Sequence, residues 1–312
     1  MAVLGADGFI GSHVVRSALA AGARVTAVCV NEPWRLRGLD RTGLEVVRVP
    51  GGRWWRQDYM VELGHALARV DSLVLLAYEP PPAEGNWKAR HDHEHSINAT
   101  GAARVGMLAS VMGLHLLFAS SADVYGPTQV GIVSEEAVPA PVTPYAAGKL
   151  EAEQLLAEHL GEALVCFRIS TVYGPLENGP RAIPSFIRAL GSGHRPIVHG
   201  DGRDVRDYVH VGDVAATMVN ACCSRGDALP VTVNVGSGVG RSTLEVLHAV
   251  QDVLDTDRQP LYEPNSRPPS KLILDTRRAR KFFGLEPRTD FQASIREEAS
   301  WILARRVKPP VR

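Results

Sequence analysis

The sequence predicts an α/β protein with a doubly wound parallel sheet and a smaller C-terminal lobe. Three observations support this class. The chain opens with a short apolar strand, a glycine-rich turn and a helix. Apolar strands then alternate with helical segments up to about residue 175, a pattern typical of parallel sheets covered on both faces. Beyond that point glycine and proline become frequent and the helices become shorter.

The opening strand, residues 2–4, leads directly into the turn Gly5-Ala-Asp-Gly8-Phe9-Ile10-Gly11. Glycines at this spacing let the backbone approach a pyrophosphate at the start of a helix, where free N–H groups and the helix dipole favour anions. The alternative is a tight strand-to-helix turn without a ligand. The position of the glycines immediately after a strand favours a Rossmann-type dinucleotide site.

Further apolar runs predict the rest of the sheet, at residues 24–30, 44–49, 71–77, 114–121 and 163–169. The run at 71–77 is almost wholly apolar, as expected for a strand buried on both faces. We therefore expect an NAD(P)-binding domain over residues 1–175, its sheet completed by about residues 203–236. Residues 176–202 and 237–312 would form a substrate-binding lobe.

The second strand ends without the residue that normally selects the cofactor. Its last residues are followed by Asn31 and Glu32, where an acid usually binds the adenosine ribose of NAD and an arginine accommodates the 2′-phosphate of NADP. Arg35 and Arg37 follow in a polar stretch. We therefore expect NAD as cofactor with NADP as an alternative, weak discrimination between them, and Arg35 or Arg37 as partners of a 2′-phosphate.

The segment 143–156 predicts a helix that carries a proton-transfer pair. Thr143 is suited to cap it and Pro144 to its first turn. Tyr145 and Lys149 are four residues apart and therefore share one face. An ammonium beside a phenol favours the phenolate and lowers a tyrosine pKa that is otherwise near 10. The alternative is an ordinary pair on a wet helix face.

The strand at 114–121 ends in two hydroxyls, Ser120 and Ser121. Parallel strands and the helices that follow them meet at one edge of the sheet, so we place Ser121 beside Tyr145, where it would polarise a substrate oxygen. Turn chemistry is the alternative role for a serine at a strand end.

Composition argues against several classes of function. Acidic and basic residues number 34 each, so nothing indicates attraction to nucleic acid or to an anionic membrane. No apolar run is long enough to cross a bilayer, and the four cysteines lack metal-ligand spacing. The run His-Asp-His-Glu-His at 91–95 resembles a metal cluster, but consecutive helical residues point to different sides, and we predict a solvated helix start and no metal site. We expect a soluble cytoplasmic protein, present as a homodimer, without nucleic-acid or membrane partners.

Several motifs occur in the order typical of one family, at residues 5–11, 98–101, 120–126, 144–149, 172–175, 199–211, 234–238 and 267–268. With these, the chain resembles the extended short-chain dehydrogenases/reductases of the NAD-dependent epimerase/dehydratase group, which act on nucleotide sugars. The resemblance covers essentially the whole length. It implies that Ser121, Tyr145 and Lys149 are catalytic.

The resemblance also implies binding roles. The cofactor would contact Gly5, Gly8, Phe9, Ile10, Gly11, Ala77, Asn98, Tyr145 and Lys149. The nucleotide sugar would contact Ser121, Thr171, Arg181, Arg206 and Arg267, the arginines at its phosphates. Two features depart from the family: Thr171 replaces an asparagine that normally contacts substrate, and the aspartate usual after the third strand is absent.

The same catalytic residues serve several reactions in this family. Dehydratases that resemble this chain carry Asp-Glu, or a Ser-Glu variant, directly after the catalytic hydroxyl, whereas this chain has Ala122 and Asp123. Because Ala122 cannot transfer a proton, dehydration is disfavoured. We expect a C4 epimerase that acts through a transient 4-keto sugar. The alternatives are an NADPH-dependent 4-ketoreductase, then a dehydratase or decarboxylase, and outside catalysis a dinucleotide-fold sensor or scaffold.

Overall fold

The computed structural model of the chain describes residues 1–81, 84, 86–127, 131–224, 229, 231–265, 269–288 and 290–304. In chain order its strands are β1 (Ala2–Leu4), β2 (Val25–Cys29), β3 (Leu44–Arg48), β4 (Ser72–Leu75), β5 (His115–Ser121), β6 (Ile132–Val133), β7 (Leu164–Ile169), β8 (Thr171–Tyr173), β9 (Ile197–His199), β10 (Val205–His210), β11 (Thr232–Val235), β12 (Gly240–Ser242), β13 (Leu261–Glu263) and β14 (Lys271–Leu274). Its helices are α1 (Phe9–Ala20), α2 (Met60–Leu67), α3 (Trp87–His93), α4 (Thr100–Val111), α5 (Pro144–Leu160), α6 (Ala182–Leu190), α7 (Val211–Cys223), α8 (Thr243–Leu254), α9 (Arg277–Phe283) and α10 (Phe291–Ala304).

A seven-stranded sheet lies at the centre, in the order β11-β7-β5-β4-β1-β2-β3. Every neighbouring pair in it is parallel. Successive side chains of a strand point to opposite faces, so Val3 packs with α1, α7 and α9, while Ala2 and Leu4 pack with α2, α4 and α5. The predicted doubly wound parallel sheet is confirmed.

The second half of the chain builds a smaller core of its own. A five-stranded sheet contains the path β12-β10-β14-β6, with β8 beside β10, and a separate pair joins β9 to β13. Helices α6, α8 and α10 bury one apolar cluster that includes Phe186, Leu247 and Ile295. Of the stretch 203–236, β11 joins the central sheet and β10 joins the second one.

One part of the expected lobe lies elsewhere. Helix α9 falls within 237–312, but Ala279 and Phe283 pack into the apolar cluster on the α1 and α7 face of the central sheet. The few apolar residues of this short helix do not indicate which core they enter. Among the described residues, no helix combines the length and apolar character needed to cross a bilayer.

Candidate active site

A cavity of about 1030 Å³ opens at the carboxyl ends of the central strands, where ligands bind in doubly wound sheets. Most residues predicted for the site line it, namely Gly5, Gly8, Phe9, Ile10, Gly11, Ser121, Tyr145, Lys149, Thr171, Arg181 and Arg206. Ala77 and Asn98 are not among its lining residues. Arg267 lies outside the described residues, although Asn265 and Ser270 line the cavity on either side of it in the sequence.

The glycine turn is packed too closely for side chains. A Cβ on Gly11 would lie 2.1 Å from the carbonyl oxygen of Gly5, and one on Gly5 would lie 2.7 Å from the amide nitrogen of Ala77. Gly5 also has a φ of +93°, which favours glycine. Helix α1 begins after Gly8 without a side-chain cap, and Gly8, Phe9, Ile10 and Gly11 at its start line the cavity. These features fit a dinucleotide pyrophosphate, and Ala77 supports the turn through its backbone.

Tyr145 lies in the first turn of α5, where the hydroxyl of Thr143 accepts the N–H of Ala146 at 3.2 Å, as the predicted cap requires. Ser121 ends β5, and its hydroxyl accepts the N–H of Asp123 at 3.2 Å. Burial raises the pKa of Tyr145 to about 12, and the charge of Asp123 adds to the rise, whereas the hydrogen bond with Ser121 and the charge of Arg181 oppose it. The expected lowering of this pKa is therefore wrong for the protein alone, because burial of the phenol outweighs its neighbours.

Lys149 is buried one turn further along α5. Its Nζ donates to the carbonyl oxygen of Ala119 at 2.8 Å and lies 5.9 Å from the ring centroid of Tyr145. Burial lowers its pKa to about 8, and the charges of Glu94 and Glu153 oppose that effect. The ammonium is thus held against the end of β5, under the tyrosine ring.

Glu94 is a buried residue near the site that was not predicted from the sequence. We predicted a solvated helix start at 91–95, but this side chain is only 1% exposed. The hydroxyl of Tyr78 donates to Glu94 Oε1 at 2.6 Å, and Asn98 Nδ2 donates to Glu94 Oε2 at 2.9 Å. Asn98 also bonds both the N–H and the carbonyl of Glu79, at 2.9 and 2.8 Å. Asn98 therefore fixes the segment after β4. The four-residue spacing of Glu94 and Asn98, which places both on one helix face, was the sequence feature that could have indicated their contact.

The residues 94–99 form a π-helical stretch between α3 and α4. Such stretches are frequent at functional sites. Here the altered spacing accompanies a glutamate that faces inward against Gly148 of α5. In the described part of the chain, no group of three or more His, Cys, Asp or Glu side chains is arranged to hold a metal ion.

Ser120 and Ser121 have different surroundings. Ser120 donates its hydroxyl to Glu153 Oε1 at 2.5 Å, and Arg168 binds the same buried carboxylate through Nε and Nη2. The Ser120 proton is therefore committed to a buried ion pair, which leaves Ser121 as the hydroxyl available to a substrate.

Two basic side chains, Arg181 and Arg206, also line the cavity. Arg206 of β10 donates to the carbonyls of Val205 and Ser270, at 3.0 and 3.2 Å, and its side chain is 36% exposed. Arg181 precedes α6, donates to the carbonyl of Val172 and lies 3.6 Å from Glu177. Thr171, on β8, lines the same cavity.

Glu177 is a second residue that the sequence analysis missed. Its side chain is 4% exposed, lines the cavity, and leaves Oε2 without a hydrogen-bond partner among the described residues. Burial raises its pKa to about 7 against the charges of Arg181 and Arg188. Nothing in the sequence distinguishes this glutamate from a surface residue.

The two arginines proposed for a 2′-phosphate already have partners. Arg35 donates to the carbonyls of Asp7 and Leu176, at 3.0 and 3.2 Å, and stacks on Trp34 at 4.1 Å. Arg37 pairs with Glu32 at 3.4 Å on the surface. The geometry therefore does not assign Arg35 to a phosphate.

Comparisons with known proteins identify relatives of this chain. The model of the NAD dependent epimerase/dehydratase family matches residues 1–236. A dTDP-glucose 4,6-dehydratase of Streptomyces griseus is 28% identical over 311 residues, which cover 96% of this chain and 92% of that protein. A UDP-glucose 4-epimerase of Mycolicibacterium smegmatis is 31% identical over 209 residues, or 64% of this chain and 66% of that protein. The solved structure of MoeE5 in complex with UDP-glucuronic acid and NAD is 27% identical, with a TM-score of 0.80 over 98% of this chain and 99% of that one.

Proposed function

The chain belongs to the NAD-dependent epimerase/dehydratase family and its cofactor is NAD; from this premise we propose that it is a nucleotide-sugar epimerase that inverts C4 through a transient 4-keto sugar. One observation carries the proposal. A single cavity joins the glycine turn, the set of Ser121, Tyr145 and Lys149, and two arginines suited to a diphosphate. The UDP-glucose 4-epimerase relative supports the choice of reaction.

The chain's own residues would share the work of proton transfer. Tyr145 takes the proton of the sugar 4-hydroxyl and later returns it to the 4-keto oxygen. Ser121 donates a hydrogen bond to that oxygen, and Lys149 keeps a positive charge beside the phenol. The glycine turn and Lys149 would hold NAD, which when bound supplies the acceptor and donor of the hydride at C4.

The substrate would extend from Tyr145 towards the second lobe. We propose that residues 176–202 and 237–312, without α9, form the substrate-binding lobe. Arg181 and Arg206 would bind the diphosphate, and Thr171 would contact the sugar beside Ser121. Epimerisation needs the sugar to turn within the site, and a cavity of about 1030 Å³ leaves room for this movement.

The alanine at position 122 favours epimerisation over dehydration. Ala122 and Asp123 both line the cavity. A 4,6-dehydratase must also move a proton at C5 and release the C6 hydroxyl, which requires additional acid and base groups. At position 122 the chain offers no titratable group, so the cavity supports epimerisation better.

The test is to incubate the purified protein with a panel of UDP-, dTDP- and GDP-sugars, with and without NADPH. We expect one sugar to yield its C4 epimer without added reductant. Consumption of NADPH would indicate a ketoreductase, and a product lighter by one water a dehydratase. Turnover of none of the sugars, by a protein that binds no nicotinamide cofactor, would indicate a sensor or scaffold. Any of these three results would contradict the proposal.

A further inference from the structure

In this fold, residues at the carboxyl end of β2 normally contact the adenosine ribose of the cofactor. The last residue of the strand is Cys29, whose thiol is buried and carries no charge, because burial and the nearby charge of Asp7 raise its pKa to about 12. The two following residues, Val30 and Asn31, present their backbone N–H groups. Successive N–H groups of this kind form concavities that bind anions such as phosphate.

The carboxylate of Asp7, in the glycine turn, already accepts hydrogen bonds from both of these N–H groups. Its Oδ1 accepts the N–H of Val30 and its Oδ2 accepts the N–H of Asn31, each at 2.8 Å. The residue is only 5% exposed, so the carboxylate is fixed in this position. Hydrogen bonds to an ionised acceptor are among the stronger ones in proteins. The acid missing from the strand end is therefore supplied by the turn.

The neighbouring cations do not neutralise this carboxylate. Arg35 binds the backbone carbonyl of Asp7. Arg37 and Arg48 both pair with Glu32, which is exposed. In the described part of the chain, the negative charge of Asp7 is thus balanced by backbone N–H groups.

We propose that Asp7 determines the selectivity of the chain for NAD over NADP. Its carboxylate fills the N–H pair that would otherwise bind a 2′-phosphate, and it places a negative charge against that phosphate. Specificity of this kind depends on a repulsive element as much as on an attractive one. The inference concerns the cofactor alone and holds whichever sugar reaction the chain catalyses. It replaces the expectation of weak discrimination drawn from the sequence.

The experiment measures binding and does not require a known sugar. The full-length protein, freed of retained nucleotide, is titrated with NAD⁺ and with NADP⁺ by calorimetry. The ratio of the two dissociation constants is then compared for the wild type, Asp7→Asn, Asp7→Ser and Glu32→Gln. Thermal melting of each variant verifies that it is folded before its ratio is compared.

For the wild type we expect NADP⁺ to bind at least about 100-fold more weakly than NAD⁺, the scale of an uncompensated like-charge contact. Asp7→Asn keeps the size of the side chain and removes its charge, so NADP⁺ binding should improve by roughly 10-fold or more, with NAD⁺ binding changed by less than about threefold. Asp7→Ser should act in the same direction. Glu32→Gln is the matched control, because it removes an acid that follows the same strand.

Two results would overturn the proposal. One is a wild type that binds the two cofactors with affinities within about threefold of each other. The other is a shift of the ratio in Glu32→Gln with none in a folded Asp7 variant, which would assign selectivity to the surface acid. Because binding is measured without a sugar, either failure is independent of the proposed epimerase activity.

Discussion

At the residue scale, the burial of single titratable groups is the property with the clearest consequences. Glu177 illustrates this, because its carboxyl group lies beside the cavity with one oxygen unpaired in the described structure. Burial raises its pKa from 4.5 to about 7. Between these values the folded chain binds more protons at this site than the unfolded chain. Stability therefore falls as the pH rises from 4.5 to 7.

Replacing Glu177 by glutamine should remove that penalty. Above pH 7 we expect Glu177→Gln to raise the free energy of unfolding by up to roughly 3 kcal/mol, and below pH 4.5 to leave it nearly unchanged. Denaturant titrations at several pH values measure the difference. Glu158→Gln, on the exposed face of α5, is the control and should show no such dependence. A Glu177→Gln effect that is the same at pH 4 and pH 8 would contradict the assignment.

The two adjacent serines at the end of β5 should separate activity from stability. Ser121→Ala removes the hydroxyl proposed to bind the sugar oxygen, so kcat should fall by about 10- to 100-fold while stability changes little. Ser120→Ala leaves Glu153 with one donor fewer, so the free energy of unfolding should fall by about 1–3 kcal/mol. Kinetics and denaturant titrations on both variants test this pair. The opposite pattern would show that the catalytic hydroxyl has been placed on the wrong residue.

At the scale of elements, the strands and helices of the first half could be predicted closely from the sequence. The apolar run at 163–169 became β7 (Leu164–Ile169), and the capped helix at 143 became α5 (Pro144–Leu160). Both are encoded locally, by strand composition or by cap and proline. The placement of α9 was missed because a short helix carries no local signal for the surface it covers.

Strand β10 provides the test of substrate anchoring. Arg206 lies on it at the cavity wall, whereas Arg203, just before the strand, is 81% exposed. If Arg206 binds the diphosphate, Arg206→Ala should weaken sugar-nucleotide binding by roughly 2–3 kcal/mol, because a charge-assisted bond is lost. Calorimetry with the substrate found in the panel measures it. Arg203→Ala should bind normally, and equal losses in both variants would indicate only a general effect of charge.

At the scale of the whole molecule, an aromatic stack adds a link between helix α10 and the segment that follows β2. Trp301 of α10 stacks on Trp34, which follows β2, with ring centroids 6.4 Å apart. Trp34 in turn supports Arg35, whose guanidinium binds the carbonyls of Asp7 and Leu176. Helix α10 is thus linked to the glycine turn.

Removing this stack should loosen the molecule. Trp301→Ala should lower the free energy of unfolding by roughly 1–3 kcal/mol, since a half-buried indole and an aromatic pair are lost. Urea titration followed by circular dichroism measures the change. Trp87→Ala removes a tryptophan that is 60% exposed and should cost less than about 0.5 kcal/mol. A loss no larger for Trp301→Ala than for Trp87→Ala would show that the stack contributes little to stability.

The residues that sequence reasoning missed share one physical cause. Tyr145, Lys149 and Ser121 were predicted because they lie on motifs a few residues long. Asp7, Glu94 and Glu177 acquire their roles from burial and from partners distant in the chain, such as the amides of Val30 and Asn31 for Asp7. Contacts between residues distant in the chain leave no local sequence pattern, so they are seen only in the folded structure.

The most direct test of the account is the turnover of Tyr145→Phe on the sugar nucleotide that the wild type epimerises. The substitution removes only the phenolic oxygen, because the ring and its edge contact with Tyr78 remain. We predict unchanged folding and NAD binding, with kcat lowered by about 10²- to 10⁴-fold, the usual contribution of general acid–base catalysis. A Phe variant that turns over at the wild-type rate would contradict the proposed mechanism and make Asp123 the next candidate base.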